Sequence, residues 1–110
     1  MPSLELKTNA VIPDPKSFAL EFSKESARIL GKPEAYITVS VTPVPIMTFA
    51  GTTDPAFVLL VTSLDNINPE KNEQYSKELA AFLKKSLSLP DDRGYMQVLR
   101  VNHLITQISR

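Results

Sequence analysis

Phe57-Val58-Leu59-Leu60-Val61 is a continuous apolar run with turn-forming residues on both sides, and it decides how the chain folds. A short run of this kind, rich in β-branched and aromatic side chains, is typical of a strand that is buried on both faces. Such a strand lies inside a sheet, so the rest of the chain must supply its neighbours and the layers that cover it.

The part of the chain before this run predicts a strand followed by a helix. Leu4 and Leu6 alternate with the polar residues Glu5, Lys7 and Thr8, which indicates a strand with one apolar face. Asp14 followed by Pro15 has the pattern of a helix N-cap and a first-turn proline, and Gly31 is the expected C-terminal stop. The buried stripe of this helix is predicted to contain Phe18, Ala19, Phe22, Ser26, Ile29 and Leu30.

Two further strands and a second helix complete the predicted order. The β-branched, alternating segment 36–41 predicts the second strand, and residues 94–101 predict the fourth. Asn68-Pro69 repeats the cap-and-proline pattern at the start of the second helix. The second helix is marked by Tyr75, Leu79, Phe82, Leu83 and Ser86.

The two halves of the chain resemble each other at an offset of 57 residues, without a gap. We interpret segments 2–45 and 57–101 as duplicated βαβ units within a single domain, 1–110. The alternative is that any two βαβ units share this pattern. Duplication predicts an α/β fold with a four-stranded mixed sheet and both helices on one face. The other face would carry about half of the apolar strand residues, so we expect other copies of the chain to cover it.

Composition excludes several classes of function. The chain has 110 residues, which is the size of one domain, and twelve Lys and Arg residues balance twelve Asp and Glu residues. Balanced charge argues against nucleic acid as a partner. There is no cysteine and one histidine, His103, so thiolate metal sites, disulfides and His-dependent triads are not expected. No apolar run is long enough to span a bilayer and no secretory signal is visible, which predicts a cytoplasmic protein without membrane insertion.

The Met1-Pro2 pair offers a base that needs neither histidine nor cysteine. Removal of Met1 before a small residue would leave Pro2 with a free secondary amine. Burial lowers the pKa of an amine because its charged form loses hydration, so such a group can be a neutral base near pH 7. The alternative is that proline at position 2, which is common, has no function here.

Five segments, in this order and spacing, resemble one known family. They are Pro2 opening a strand that ends Lys7-Thr8-Asn9, then LGKPEAYI at 30–37, MTFAGTTDPA at 47–56, NEQYSKEL at 72–79 and LPDDRGY at 89–95. The chain is similar over residues 2–99 to the macrophage migration inhibitory factor and D-dopachrome tautomerase family, within the tautomerase superfamily. The resemblance implies a homotrimer that tautomerises small aromatic keto acids of the phenylpyruvate or dopachrome type, without a metal or another cofactor.

The resemblance also implies the roles of individual residues. Pro2 would be the general base, and Lys32 would bind the substrate carboxylate. Leu64 would donate a backbone hydrogen bond, and its strand end would lie beside Pro2 if the third strand runs antiparallel to the first. A neighbouring subunit would supply Tyr95 and Gln97. The alternative for Lys32 is a cation that interacts with the dipole at a helix C-terminus, and the alternative for Tyr95 is an aromatic residue packed at a subunit interface.

Two other functions stay open. One is a cytokine-like signalling protein that binds a cell-surface receptor after secretion without a signal peptide. The other is a family member that keeps the scaffold but has lost the activity. Asp65, which stands where the family has glycine, and a C-terminal tail unlike the family's motivate this last alternative.

Overall fold

A computed structural model describes residues 2–63 and 69–100, and the order strand, helix, strand occurs in it twice. The predicted cap Asn68 and the predicted strand end Val101 lie outside the described residues. The elements are β1 (Ser3–Thr8), α1 (Pro15–Leu30), a 3₁₀ turn (Glu34–Tyr36), β2 (Thr38–Pro43), β3 (Phe57–Ser63), α2 (Pro69–Leu87) and β4 (Gly94–Arg100).

The four strands form one mixed sheet in the order β2-β1-β3-β4. β1 is parallel to β2, and β3 is parallel to β4, as expected when each pair is joined through a helix. β1 and β3 run antiparallel at the centre, where Leu4 lies opposite Val61. The predicted four-stranded mixed sheet is therefore confirmed.

Both helices cover the same face of this sheet, as predicted. The rings of Phe22 on α1 and Phe82 on α2 stack with centroids 5.3 Å apart. Ser86, one of the residues that mark α2 in the sequence pattern, is exposed at a surface cleft between the helices. The core between helices and sheet contains Leu4, Leu6, Phe18, Phe22, Ile29, Leu30, Phe57, Leu59, Val61, Tyr75, Leu79, Leu83 and Leu89.

The ends of α1 are fixed by the residues that the sequence indicated. The Asp14 carboxylate accepts a hydrogen bond from the Ser17 N–H at 3.1 Å, and Gly31 ends the helix with φ of 66°. The second strand, however, begins at Thr38 and not at Tyr36. The reason is local: the Tyr36 N–H donates to the Pro33 carbonyl at 3.0 Å, which draws this segment into a 3₁₀ turn.

The open face of the sheet is apolar only on β3 and β4. Val58, Tyr95 and Leu99 are 37%, 58% and 39% exposed there. The prediction that this face carries half of the apolar strand residues is wrong, because alternation in β1 and β2 turns their apolar side chains toward the helices. Within one chain β3 is buried on one face, and its coverage by other copies stays a prediction. The open-face residues of β1 and β2 are Ser3, Glu5, Lys7, Thr38, Ser40 and Thr42.

The long connection between β2 and β3 is held by side chains at the end of β1. The side-chain oxygen of Asn9 accepts a hydrogen bond from the Ala56 N–H at 2.8 Å, and the side-chain NH₂ of Asn9 donates one to the Thr53 carbonyl at 3.0 Å. Thr8, which the strand pattern grouped with the polar face, is fully buried and donates to the Ala56 carbonyl at 2.7 Å. Arg93 adds a hydrogen bond to the carbonyl of Pro55 at 3.0 Å.

Replacing Asn9 by alanine should therefore destabilise the fold. We expect Asn9→Ala to lower the free energy of unfolding by about 2 kcal/mol, because it leaves a part-buried N–H and several carbonyls without partners. Urea unfolding measures this change. Asn72→Ala is the matched control: the Asn72 side-chain oxygen is buried without a partner in the structure, so its removal should cost little. Equal losses in the two variants would contradict the proposed role of Asn9.

Candidate active site

The predicted base lies at the end of the sheet where β1 begins and β3 ends. Pro2 immediately precedes β1 and is buried. Ser3 lies opposite Thr62 in the antiparallel pair, which brings Pro2 beside Ser63 at the end of β3. On its other side, the Pro2 carbonyl accepts a hydrogen bond from the Thr38 N–H at 3.0 Å, at the start of β2. Three strand ends therefore meet around this residue.

The end of α1 brings Lys32 to the same end of the sheet. The Lys32 N–H donates to the Ala27 carbonyl at 3.1 Å, so the chain turns sharply after Gly31. The segment then passes through the 3₁₀ turn and enters β2 at Thr38, which contacts Pro2. The Lys32 side chain is half-buried. The end of α1 and the start of β2 therefore place Lys32 at the same end of the sheet as Pro2.

Leu64, the predicted backbone donor, lies outside the described residues. The last described residue of β3 is Ser63, which is 3% exposed and stands next to Pro2 in the antiparallel register. The direction of β3 is therefore the one that the prediction required. The position of the Leu64 N–H itself stays a prediction.

Tyr95 and Gln97 do not join Pro2 within one chain. Tyr95 pairs with Val58 at the start of β3, whereas Pro2 lies beside the end of that strand. At about 3.3 Å per residue, these two rows of the sheet are roughly 17 Å apart. Both side chains are on the open face and exposed. At this separation Tyr95 can reach a Pro2 only if that Pro2 belongs to another copy.

Tyr36 is an aromatic residue near this end of the sheet. Its sequence pattern predicted only that it belongs to a strand. It lies on the 3₁₀ turn between Lys32 and Thr38, and it is 56% exposed. The signal that could have indicated the turn is Pro33, since proline is disfavoured within a sheet and its fixed φ suits the start of a turn. Tyr36 adds an accessible ring to the segment that runs from Lys32 to Thr38, whose N–H donates to the Pro2 carbonyl.

The cleft between α1 and α2 is occupied by an ion network and is not an alternative site. Arg28 pairs with Glu25, and its guanidinium lies 3.4 Å from a Glu78 carboxylate oxygen. The hydrogen bond to Glu25 raises the pKa of Arg28. Because opposite charges already pair across this cleft, its residues are explained by contact between the helices.

Residues 2–63 and 69–100 contain neither a candidate metal site nor a membrane-spanning helix. No group of three or more His, Cys, Asp or Glu residues in these ranges is placed to hold a metal ion. Neither helix in the same ranges has the length and apolar character needed to cross a membrane.

Two parallel βαβ units in a four-stranded mixed sheet, with both helices on one face, define the tautomerase-superfamily class of α/β protein. The family described as "Macrophage migration inhibitory factor (MIF)" matches residues 1–107. The chain therefore belongs to the macrophage migration inhibitory factor family.

Individual relatives align with most of the length of this chain. Macrophage migration inhibitory factor of Rattus norvegicus is 36% identical over 88 residues, which cover 80% of this chain and 76% of the relative. The Xenopus laevis protein is 32% identical over 105 residues, 93% of this chain and 90% of the relative. The solved structure of the factor from Trichinella spiralis superposes with a TM-score of 0.84 at 30% identity, covering 91% of this chain and 89% of that one.

Proposed function

We propose that the chain is a cofactor-independent keto–enol tautomerase that acts on phenylpyruvate-type keto acids. Once Met1 is removed, the Pro2 nitrogen takes a proton from the carbon next to the carbonyl. The C–H electron pair forms the carbon–carbon double bond of the enol, and the C=O π pair moves onto the oxygen, which takes a proton from water. Protonated Pro2 then releases its proton to water, so one proton has moved from carbon to oxygen overall and the base is neutral again. In the reverse direction Pro2 returns the proton to carbon, so no cofactor is needed.

The observation that carries this proposal is the burial of Pro2 where three strand ends meet. Burial favours the neutral form of an amine, which is the form that can accept a proton. The hydrogen bond from the Thr38 N–H to the Pro2 carbonyl fixes the direction of the residue. Family membership supports an isomerase at the coarse level. The phenylpyruvate-type substrate and the roles of Pro2 and Lys32 rest on the resemblance to that family.

Lys32 is proposed to bind the substrate carboxylate. Replacing it by methionine should raise KM for phenylpyruvate by about tenfold to a hundredfold, the usual value of one hydrogen bond to a charged group. The methyl ester of phenylpyruvate, which has no carboxylate, should be affected much less. Initial rates with the two substrates measure this difference. Lys24→Met, an exposed substitution on α1, is the matched control. A Lys32→Met enzyme that loses acid and ester activity equally would contradict the assignment.

A neighbouring copy is proposed to complete the site in a homotrimer. Tyr95 is exposed on the open face together with Val58 and Leu99, so this apolar patch would be covered by the same contact. Tyr95 would then line the site of the next subunit, and the Gln97 amide would hydrogen-bond the substrate.

Subunit mixing tests whether the site is shared. We expect Pro2→Gly and the double variant Tyr95→Ala/Gln97→Ala to be weakly active alone. Random trimers of the two join an intact Pro2 to an intact Tyr95 and Gln97 at one site in four, so activity should recover to about a quarter of wild type. Native mass spectrometry verifies that mixed oligomers formed. Mixed oligomers without recovery, or a fully active double variant, would contradict a shared site.

A further inference from the structure

We infer that Gly31 and Pro33 are positioning residues that hold Lys32 in the orientation needed to bind the substrate carboxylate. This inference rests on the proposed function, because it assigns its effect to the role of Lys32. Neither residue needs to touch substrate. Their contribution is the backbone conformation on the two sides of Lys32.

Gly31 sets the direction in which the chain leaves α1. Its φ of 66° and ψ of 37° lie in the left-handed region, where residues with a Cβ are disfavoured. This conformation allows the Lys32 N–H to reach the Ala27 carbonyl at 3.1 Å. A Cβ built on Gly31 would have no atom within 4 Å. A substitution here therefore changes the conformational preference of the backbone without creating a clash.

Pro33 restricts the chain on the other side. Its φ of −61° and ψ of 139° are extended, and its carbonyl accepts the Tyr36 N–H that closes the 3₁₀ turn. A residue that precedes proline is confined to extended conformations, and here that residue is Lys32. Lys32 thus lies between a left-handed glycine and a proline, so few backbone orientations are open to it before substrate binds.

The test separates conformation from chain stability by comparing two glycines. Gly51 also has a positive φ, 79°, and open space around a built Cβ, but it lies on the turn between Phe49 and Thr52. Valine disfavours this conformation at either position, whereas asparagine tolerates it. The enzymes to compare are Gly31→Val, Gly31→Asn and Gly51→Val, with Pro33→Ala as a second variant should Gly31→Val fail to fold.

We expect Gly31→Val to raise KM for phenylpyruvate by about tenfold, with kcat and the rate on the methyl ester little changed, since misplaced binding groups lose up to ~10²-fold. Gly31→Asn should restore KM, and Gly51→Val should lower thermal stability without changing the ratio of acid to ester activity. Pro33→Ala should shift that ratio in the same direction as Gly31→Val.

Two results would overturn the inference. One is a folded Gly31→Val enzyme, or Pro33→Ala in its place, with the acid-to-ester ratio of wild type. The other is a Gly31→Asn enzyme as impaired as Gly31→Val, which would mean that conformation is not the cause. The Lys32→Met enzyme distinguishes these failures from failure of the proposed function. If it keeps the wild-type ratio, Lys32 does not bind the carboxylate; if it loses that ratio while Gly31→Val does not, only the positioning inference is wrong.

Discussion

Replacing Pro2 by glycine, in protein that has lost Met1, is expected to lower kcat/KM for phenylpyruvate by about 10²- to 10⁴-fold, the range for removing a positioned general base. Glycine keeps an N-terminal amine, but it lacks the ring that fixes the nitrogen and fills the buried position between β2 and β3. The change is measured from the absorbance of the enol during tautomerisation.

Pro13→Gly provides the control for this substitution. Pro13 is exposed in the connection before α1, so its replacement should leave turnover unchanged. Protein that retains Met1 provides a second comparison, because its Pro2 nitrogen is acylated and cannot accept a proton. Full activity in either Pro2→Gly or the unprocessed chain would contradict the assignment of Pro2 as the base.

Gly94→Ala adds a single methyl group, but we expect it to cause a large loss of stability. Gly94 lies opposite Phe57 in the parallel pair of β3 and β4, and the Phe57 side chain is 2% exposed. A methyl group on Gly94 would overlap the Cε1 and Cζ atoms of the Phe57 ring. The ring cannot move away without disturbing the core, so we expect the free energy of unfolding to fall by about 3 kcal/mol.

A double-mutant cycle identifies the Phe57 ring as the cause. In a Phe57→Ala background the space beside Gly94 is open, so Gly94→Ala should cost less than about 1 kcal/mol there. Urea unfolding of the four proteins gives both values. An equal cost in the two backgrounds would show that the loss arises from the backbone of β4 and not from contact with the ring.

The sequence predicts those parts of the fold whose cause is local. Asp14 and Gly31 cap α1 because their conformations and hydrogen bonds involve neighbouring residues only. The start of β2 was missed because the 3₁₀ turn competes with the strand over the same few residues. Thr8 was misplaced for a different reason. Its burial depends on a hydrogen bond to Ala56, which is distant in sequence.

The candidate site is predictable only in part. β1 and β3 run antiparallel, which is the condition under which the end of the third strand was expected to lie beside Pro2. The uneven open face could not be foreseen from a count of apolar residues, because the two halves alternate differently: β1 places Glu5 and Lys7 where β3 has Val58 and Leu60. Tyr36 was missed as a site candidate because its exposure is a consequence of the turn.

The most direct test is phenylpyruvate tautomerisation by the purified chain, on a preparation whose intact mass shows that Met1 is absent. We predict turnover above the buffer rate that increases in proportion to the fraction of processed chains, because each processed chain has one free Pro2 nitrogen. No turnover above buffer, from folded and fully processed oligomers, would contradict the proposed enzyme and leave a binding role on the same scaffold as the function to test.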